Sequence, residues 1–259
     1  MKHLRLLLAL SLVYACNSEL LDREPEIEAC DGGTFVGEVR LTSQAEVNAF
    51  GANCYTKIDG LLHISNPGEA PSDIHDLKPL SSLTEVFSTS DITPKIYVVD
   101  NDSLTTLEGL HNIRKASGIW VTRCDRLTDL NGLRGLRELY GEGVFNDLII
   151  TKNDSLVSLE GLEGVSVVGS LDNDASTFLA IQENQSLQNL DPLSNLEAVH
   201  GHIYIGGESS SSSYGGNDSL TDLCGLSNLF NSNTYDIVII ENNAYNPTVQ
   251  DMLNGNCSQ

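Results

Sequence analysis

Residues 95–118 read KIYVVDNDSLTTLEGLHNIRKASG, and residues 119–141 repeat the pattern as IWVTRCDRLTDLNGLRGLRELYG. The frame returns as LIITKNDSLVSLEGLEGVSVVG from Leu148, as LAIQENQSLQNLDPLSNLEAVHG from Leu179, and in a copy from Ile203 whose second half is NDSLTDLCGLSNL. A degenerate first copy starts at Leu62 and ends in DLKPLSSLTEV, and Asp236 to Tyr245 (DIVIIENNAY) opens a truncated last one. Self-similarity at a fixed period of about 23 residues is the mark of a stacked-repeat architecture.

The frame is apolar-x-apolar-x-x-Asn-x-x-Leu-x-x-Leu-x-Gly-Leu-x-x-Leu, followed by a branched apolar residue. Apolar-x-apolar is a short strand with alternate side chains turned inward. The Leu residues three apart supply inward positions on the successive sides of each copy. One copy cannot bury that face alone, whereas stacked copies share one core. Asn101, Asn153, Asn184, Asn217 and Asn242 recur at one turn position. Asn tolerates left-handed backbone and bonds its own chain there, so the stack predicts an internal Asn ladder. Three of these lie in Asn-Asp-Ser triplets that also fit the N-glycosylation acceptor pattern.

These features predict a mainly β protein, a single-stranded right-handed β-helix of leucine-rich-repeat type with short helical caps at both ends, spanning residues 30–259. Insertions at Glu142–Asp147, Ser170–Phe178 and Gly206–Gly216 break the period next to the strands, as loops flanking one strand set. At the front, Ser43-Gln-Ala-Glu46 reads as a capping box, opening a helix that presents Ala45, Val47 and Phe50 to the first copy. At the back, Asn246-Pro247 reads as an N-cap with proline at the first helical position, and Gly255 as the stop. Met252 and Leu253 are placed to cover the last copy. Cys30 and Cys54 flank the front helix, and Cys224 and Cys257 flank the back cap. In an oxidising compartment these are natural pairs. Cys124 is left over, as a buried free thiol.

The chain opens MKHLRLLLALSLVYAC. A basic n-region and an apolar stretch too short to span a bilayer read as a secretory signal, residues 1–15. Val13-Tyr14-Ala15-Cys16 resembles the bacterial lipobox, which makes Cys16 the lipidation site. Residues 16–29 follow as a lipidated acidic tether, similar to the export signals of surface lipoproteins in Bacteroidetes-like bacteria. The expected address is the bacterial cell envelope, as a surface-exposed outer-membrane lipoprotein held to the membrane only by its lipid. With 14 Lys+Arg against 36 Asp+Glu, the net charge is −22. Such a surface repels phosphate backbones and anionic headgroups, which excludes nucleic acid as a partner.

Asn53-Cys54-Tyr-Thr-Lys-Ile58-Asp-Gly60-Leu-Leu62-His-Ile64 resembles the opening motif of the receptor L domain, the β-helix of insulin- and EGF-receptor ectodomains. Leu223-Cys224 with Cys257 resembles the closing cysteine pair of the same domains. The likeness covers roughly residues 30–257 and is nearest to L-domain-like bacterial surface lipoproteins. The copies here are more regular than in the receptors. The resemblance implies ligand binding through one parallel sheet. The strand frame gives that face an outward row of His63, Tyr97, Trp120, Ile149, Ala180, Tyr204 and Val238, and a second row that includes Val99, Thr122, Thr151 and Gln182. Tyr97, Val99, Trp120 and Ile149 then adjoin as an apolar, partly aromatic patch of the kind that marks interaction sites. The alternative is that an inserted loop covers it, with Phe145 or Phe178 packed on top.

Chemistry-bearing motifs are sparse. The chain has no Gly-x-Ser-x-Gly elbow, phosphate loop, His-Glu-x-x-His or Cys-x-x-Cys. His200 and His202 lack a third ligand, and Asp172-Asn173-Asp174 lacks the EF-hand spacing. The expectation is a non-enzymatic recognition protein without metal or cofactor, taking a protein or peptide partner. A glycan-binding module and a structural spacer of the cell surface are the alternatives.

Overall fold

The computed structural model describes residues 32–65, 72–88, 96–140, 146–170, 177–207 and 215–259. The proposed signal and tether with Cys16 and Cys30, together with Phe145 and Asp172–Asp174, lie outside the described residues.

The chain is mainly β, with two parallel sheets and few helices. Seven short strands make one sheet: β1 (Thr34–Val36), β3 (Lys57–Asp59), β5 (Glu85–Phe87), β7 (Lys115–Ala116), β9 (Glu138–Leu139), β11 (Val167–Val168) and β13 (Ala198–Val199). Eight make the other: β2 (Val39–Leu41), β4 (Leu62–Ser65), β6 (Ile96–Val99), β8 (Ile119–Thr122), β10 (Leu148–Thr151), β12 (Phe178–Gln182), β14 (His202–Gly206) and β15 (Val238–Glu241). From β1 to β14 the strands alternate between the sheets in chain order, so each of these repeats adds one strand to each, and β15 follows β14 in the eight-stranded sheet. The apolar-x-apolar segments build the eight-stranded sheet, and the apolar residue closing each copy, branched except for Ala116, falls in the seven-stranded one, as Val86, Ala116, Leu139, Val168 and Val199. Both inward rows and the repeat leucines bury into one continuous cluster from Val39 to Cys257.

The glycine of the frame is required by close approach. A Cβ on Gly161, where φ is +109°, would sit 2.0 Å from the carbonyl oxygen of Leu130 in the preceding repeat. One on Gly225 would sit 1.8 Å from that of Leu190.

The asparagine ladder is present, with three corrections. Its last full rung is Asn243 rather than Asn242: Asn243 Oδ1 accepts from the Asn217 backbone N–H and Asn243 Nδ2 donates to the Ile205 carbonyl. The left-handed residue is the one before the rung, as at Asp100, Arg123, Lys152, Glu183 and Asn242, so the side-chain bonds and not the backbone geometry demand Asn. Finally, Cys124 occupies a rung. Its backbone N–H donates to Asn153 Oδ1 at 3.0 Å, and its Sγ lies 3.6 Å from the carbonyls of Val98 and Thr122. Elsewhere the rung amide reaches the corresponding carbonyls, as Asn184 Nδ2 does to Ile150 at 2.9 Å and Gln182 at 3.1 Å. Asn101, Asn153 and Asn217 are fully buried, which leaves no space for a glycan on their triplets.

The front is closed by α1 (Gln44–Gly51), capped by Ser43, whose hydroxyl accepts from the Glu46 N–H. The Glu46 carboxylate takes the Thr42 N–H and hydroxyl, one residue ahead of the expected box. Val47 is buried and Phe50 packs with Phe35 and Tyr55, but Ala45 is exposed on the opposite side of the helix. At the back, α2 (Ser227–Ser232) was not signalled by the repeat pattern; it buries Leu229 and Phe230. The last helix, α3 (Val249–Leu253), starts two residues later than expected. Thr248 is its N-cap, in a reciprocal box with Asp251, and Asn246 caps the ladder instead. Met252 is buried while Leu253 remains 45% exposed. Cys224 and Cys257 form a disulfide, Cys54 is disulfide-bonded, and Cys124 is free and buried. Among the described residues no helix is long and apolar enough to cross a membrane.

Candidate functional site

The parallel register of the eight-stranded sheet puts one outward residue per strand side by side: Arg40, His63, Tyr97, Trp120, Ile149, Ala180, Tyr204 and Ile239. Ile239 replaces the expected Val238, which pairs with Ile203 and faces the core. Ile237 to Ile240 is an unbroken apolar run, so alternation could not set its phase, and the Asn242-Asn243 pair offered two frames. The second outward row is Ser65, Val99, Thr122, Thr151 and Gln182.

Side-chain size then shapes the face. His63, Tyr97 and Trp120 stand in a ring-to-ring series, with centroids 5.1 and 5.2 Å apart. On the far side Phe178, His202 and Tyr204 form a second cluster, with Phe178 at 5.6 and 5.9 Å from the other two. Phe178 is thus the first residue of β12 and not part of an inserted loop. Between the two clusters Ile149 and Ala180 are shorter, and a groove of about 380 Å³ opens there. His63, Tyr97, Val99, Trp120 and Ile149 line it together with Thr122, Thr151, Ala180 and Gln182, whereas Tyr204 belongs to the opposite cluster. The floor is internally bonded: Thr122 and Thr151 hydroxyls share a 3.1 Å hydrogen bond, and Gln182 Nε2 donates to the Gly206 carbonyl at 2.7 Å. Those bonds take up part of its polar capacity, and Ile149 and Ala180 supply apolar surface beside them.

Two lining residues escaped the frame. Arg123 and Lys152 occupy the left-handed position that follows β8 and β10, and both border the groove. Arg123 is held by a two-pronged pair with Asp100, its Nη2 donating to Oδ2 at 2.8 Å. Lys152 Nζ lies 3.5 Å from Glu183. The recurrent residue immediately before each rung, read down the repeats as Asp, Arg, Lys and Glu, was the available signal.

Behind the aromatic row lies Asp147, almost completely buried. Its backbone carbonyl accepts from Ile119, and its carboxylate accepts the Phe178 N–H at 2.8 Å. Burial pushes the carboxyl up to about 6, partly opposed by the Phe178 amide and by the nearby Trp120 indole. The indole Nε1–H is buried without a hydrogen bond of good geometry. It therefore acts on Asp147 as a nearby dipole, the weakest of the three influences. Burial, and secondarily Asp147, raises the Tyr97 hydroxyl; burial, and secondarily Arg40, lowers His63.

As for metals, no group of three His, Cys, Asp or Glu side chains is gathered for one among the described residues. His202 instead joins the second aromatic cluster. Compared with family models, curated proteins and solved structures, the chain matches none of them.

Proposed function

We propose that this chain is a non-catalytic recognition protein that binds a protein or peptide partner through the face of its eight-stranded sheet and the flanking loops. In this reading the two parallel sheets are the walls of a receptor-L-domain-like, single-stranded right-handed β-helix. Cys16 carries the lipid, and the protein sits on the bacterial envelope as a surface-exposed outer-membrane lipoprotein. The observation that carries the reading is the Tyr97–Trp120–Ile149 row opening into a groove of ligand-pocket size. Large amphipathic rings at the wall of a concave apolar floor are the usual anchors of binding interfaces. A catalytic role lacks support from the same lining. Its two threonine hydroxyls are bonded to each other, and its one histidine faces Arg40 at 3.1 Å rather than a nucleophile.

Trp120 is the only tryptophan in the chain, so its fluorescence reports on this face without a label. Acrylamide is expected to quench it readily in the purified chain, and a bound partner to protect it. Tyr97→Ala and Trp120→Ala are expected to abolish partner capture with the fold intact by circular dichroism. Blue-shifted, protected emission in the free protein would mean that the face is covered, and the recognition reading would move to the loops. Capture of glycans with no protein or peptide retained would replace the partner class.

A further inference from the structure

The groove runs against the charge of the molecule. The chain carries 36 acidic and 14 basic residues, yet among the described residues the groove lining includes Arg123, Lys152 and no carboxylate. The two cations are neighbours on adjacent repeats, linked by the Arg123 N–H donating to the Thr151 carbonyl. Their acidic partners Asp100 and Glu183 flank the pair in the same row, directly after the lining residues Val99 and Gln182, and are not themselves part of the lining. Farther along the chain from the groove, Asp102, Asp125 and Asp154 follow on the same three repeats. They are close enough for Asp154 and Asp102 to raise the Asp125 carboxyl, behind the larger effect of its burial. The face therefore reads, along the strand direction, as an aromatic wall, an apolar floor, a row in which two cations sit between their acidic partners, and then an acidic row.

That order selects a ligand. An anionic group is drawn to Arg123 and Lys152, but a chain bearing further negative charge would run into the acids beyond. Arg123 lies three residues beyond Trp120, about 10 Å of extended chain, which three residues of an extended ligand would match. A pocket of about 380 Å³ is at the small end of ligand sites, suited to the end of a chain and not to a strand passing through.

We infer that the groove captures the free carboxyl terminus of a polypeptide partner, with its terminal apolar side chains against Trp120, Tyr97 and Ile149 and its α-carboxylate at Arg123 and Lys152. This rests on the protein-or-peptide reading above. The guanidinium, already oriented by Asp100, offers its remaining N–H groups to the carboxylate in charge-assisted bonds. Lys152 adds a second positive charge beside it. The single terminal charge stops short of the acidic row.

The test uses tetrapeptides Gly-Gly-Ala-Xaa, with Xaa Phe, Leu or Ala, each as the free acid and as the C-terminal amide, titrated against the full chain while Trp120 emission is followed. The free acids ending in Phe and Leu are expected to bind about tenfold or more tightly than their amides, the scale of a charge-assisted hydrogen bond. They are also expected to outbind the acid ending in Ala. Arg123→Gln and Lys152→Gln are expected to erase the acid-over-amide preference. Because acid and amide are compared on the unaltered chain, the outcome does not depend on either variant folding. Equal binding of acid and amide would overturn carboxylate capture while leaving peptide recognition standing. Silence toward every peptide, with Trp120 responding to a uronic acid or a neutral oligosaccharide, would overturn both.

Discussion

Removing the side chain of Asn153 probes whether the ladder or the leucine core organises the stack. Asn153 is fully buried. Its Oδ1 accepts the Cys124 N–H at 3.0 Å, and its Nδ2 donates to the Val121 carbonyl and to Asn184 Oδ1, both at 3.1 Å. Asn153→Ala strands the Cys124 N–H and takes a donor from the Val121 carbonyl in a place water does not reach. Each stranded group costs about 1–3 kcal/mol, and the small cavity adds to that. The expected loss is about 4 kcal/mol by urea denaturation followed by circular dichroism. Hydrogen exchange gives the local readout: the Cys124 amide, protected in the parent, should exchange much faster in the variant. Asn153→Leu refills the volume without the bonds and is expected to cost as much or more. The converse substitution, Cys124→Asn, places an amide where the thiol now meets the Val98 and Thr122 carbonyls, and is expected to stabilise by about 1–2 kcal/mol. A loss under about 1 kcal/mol for Asn153→Ala, or full rescue by Leu, would refute the idea that these bonds organise the repeats.

Asp147 is raised to about 6 in the folded chain against an ordinary value near 3.8. Its folded form therefore prefers to be neutral, and stability from this group grows as pH falls from about 6 to about 4 and is lost above. Asp147→Asn, which still accepts the Phe178 N–H, is expected to stabilise by up to about 3 kcal/mol at pH 7.5 and by almost nothing at pH 4; equal effects at both pH values would contradict this. Cys224→Ser opens a loop closed over 33 positions and is expected to cost about 4 kcal/mol by the loop-entropy relation, read as a lower urea midpoint under non-reducing conditions. Gly161→Ala forces a side chain into a positive-φ position against the Leu130 carbonyl. It is expected to cost about 3 kcal/mol or more, whereas a melting temperature unchanged by the alanine would show that the backbones there can part.

The strands, the outward row and most of the groove were legible because a period-two strand embedded in a repeat fixes its own phase: each copy checks the others. Where that check failed, so did the reading. The last copy has an unbroken Ile237–Ile240 run and two consecutive asparagines, and both the strand phase and the ladder rung slipped there by one residue. The back cap moved for a similar reason: Asn246 has the chemistry of an N-cap, but it is consumed by Asn243, which leaves the role to Thr248. Asp147 was invisible as a buried acid because it sits just outside the repeat, at the end of an insertion. Arg123 and Lys152 occupied a position that looked merely polar; that it borders the groove depends on the left-handed turn after the strand, which no apolar pattern encodes.

The ladder's backbone N–H bonds all run one way. Each repeat's backbone N–H enters the side chain of the next, from Cys124 to Asn153, Asn184, Asn217 and Asn243, until Asn246 accepts the last; at the opposite end the Ser72 hydroxyl caps Asn101. Such a rail has a direction and two terminators but no required length. A duplicated copy inserted between any two rungs would find a donor on one side and an acceptor on the other already in place. The number of repeats is thus a quantity that recombination can change in whole steps, lengthening or shortening the eight-stranded face without redesigning either end.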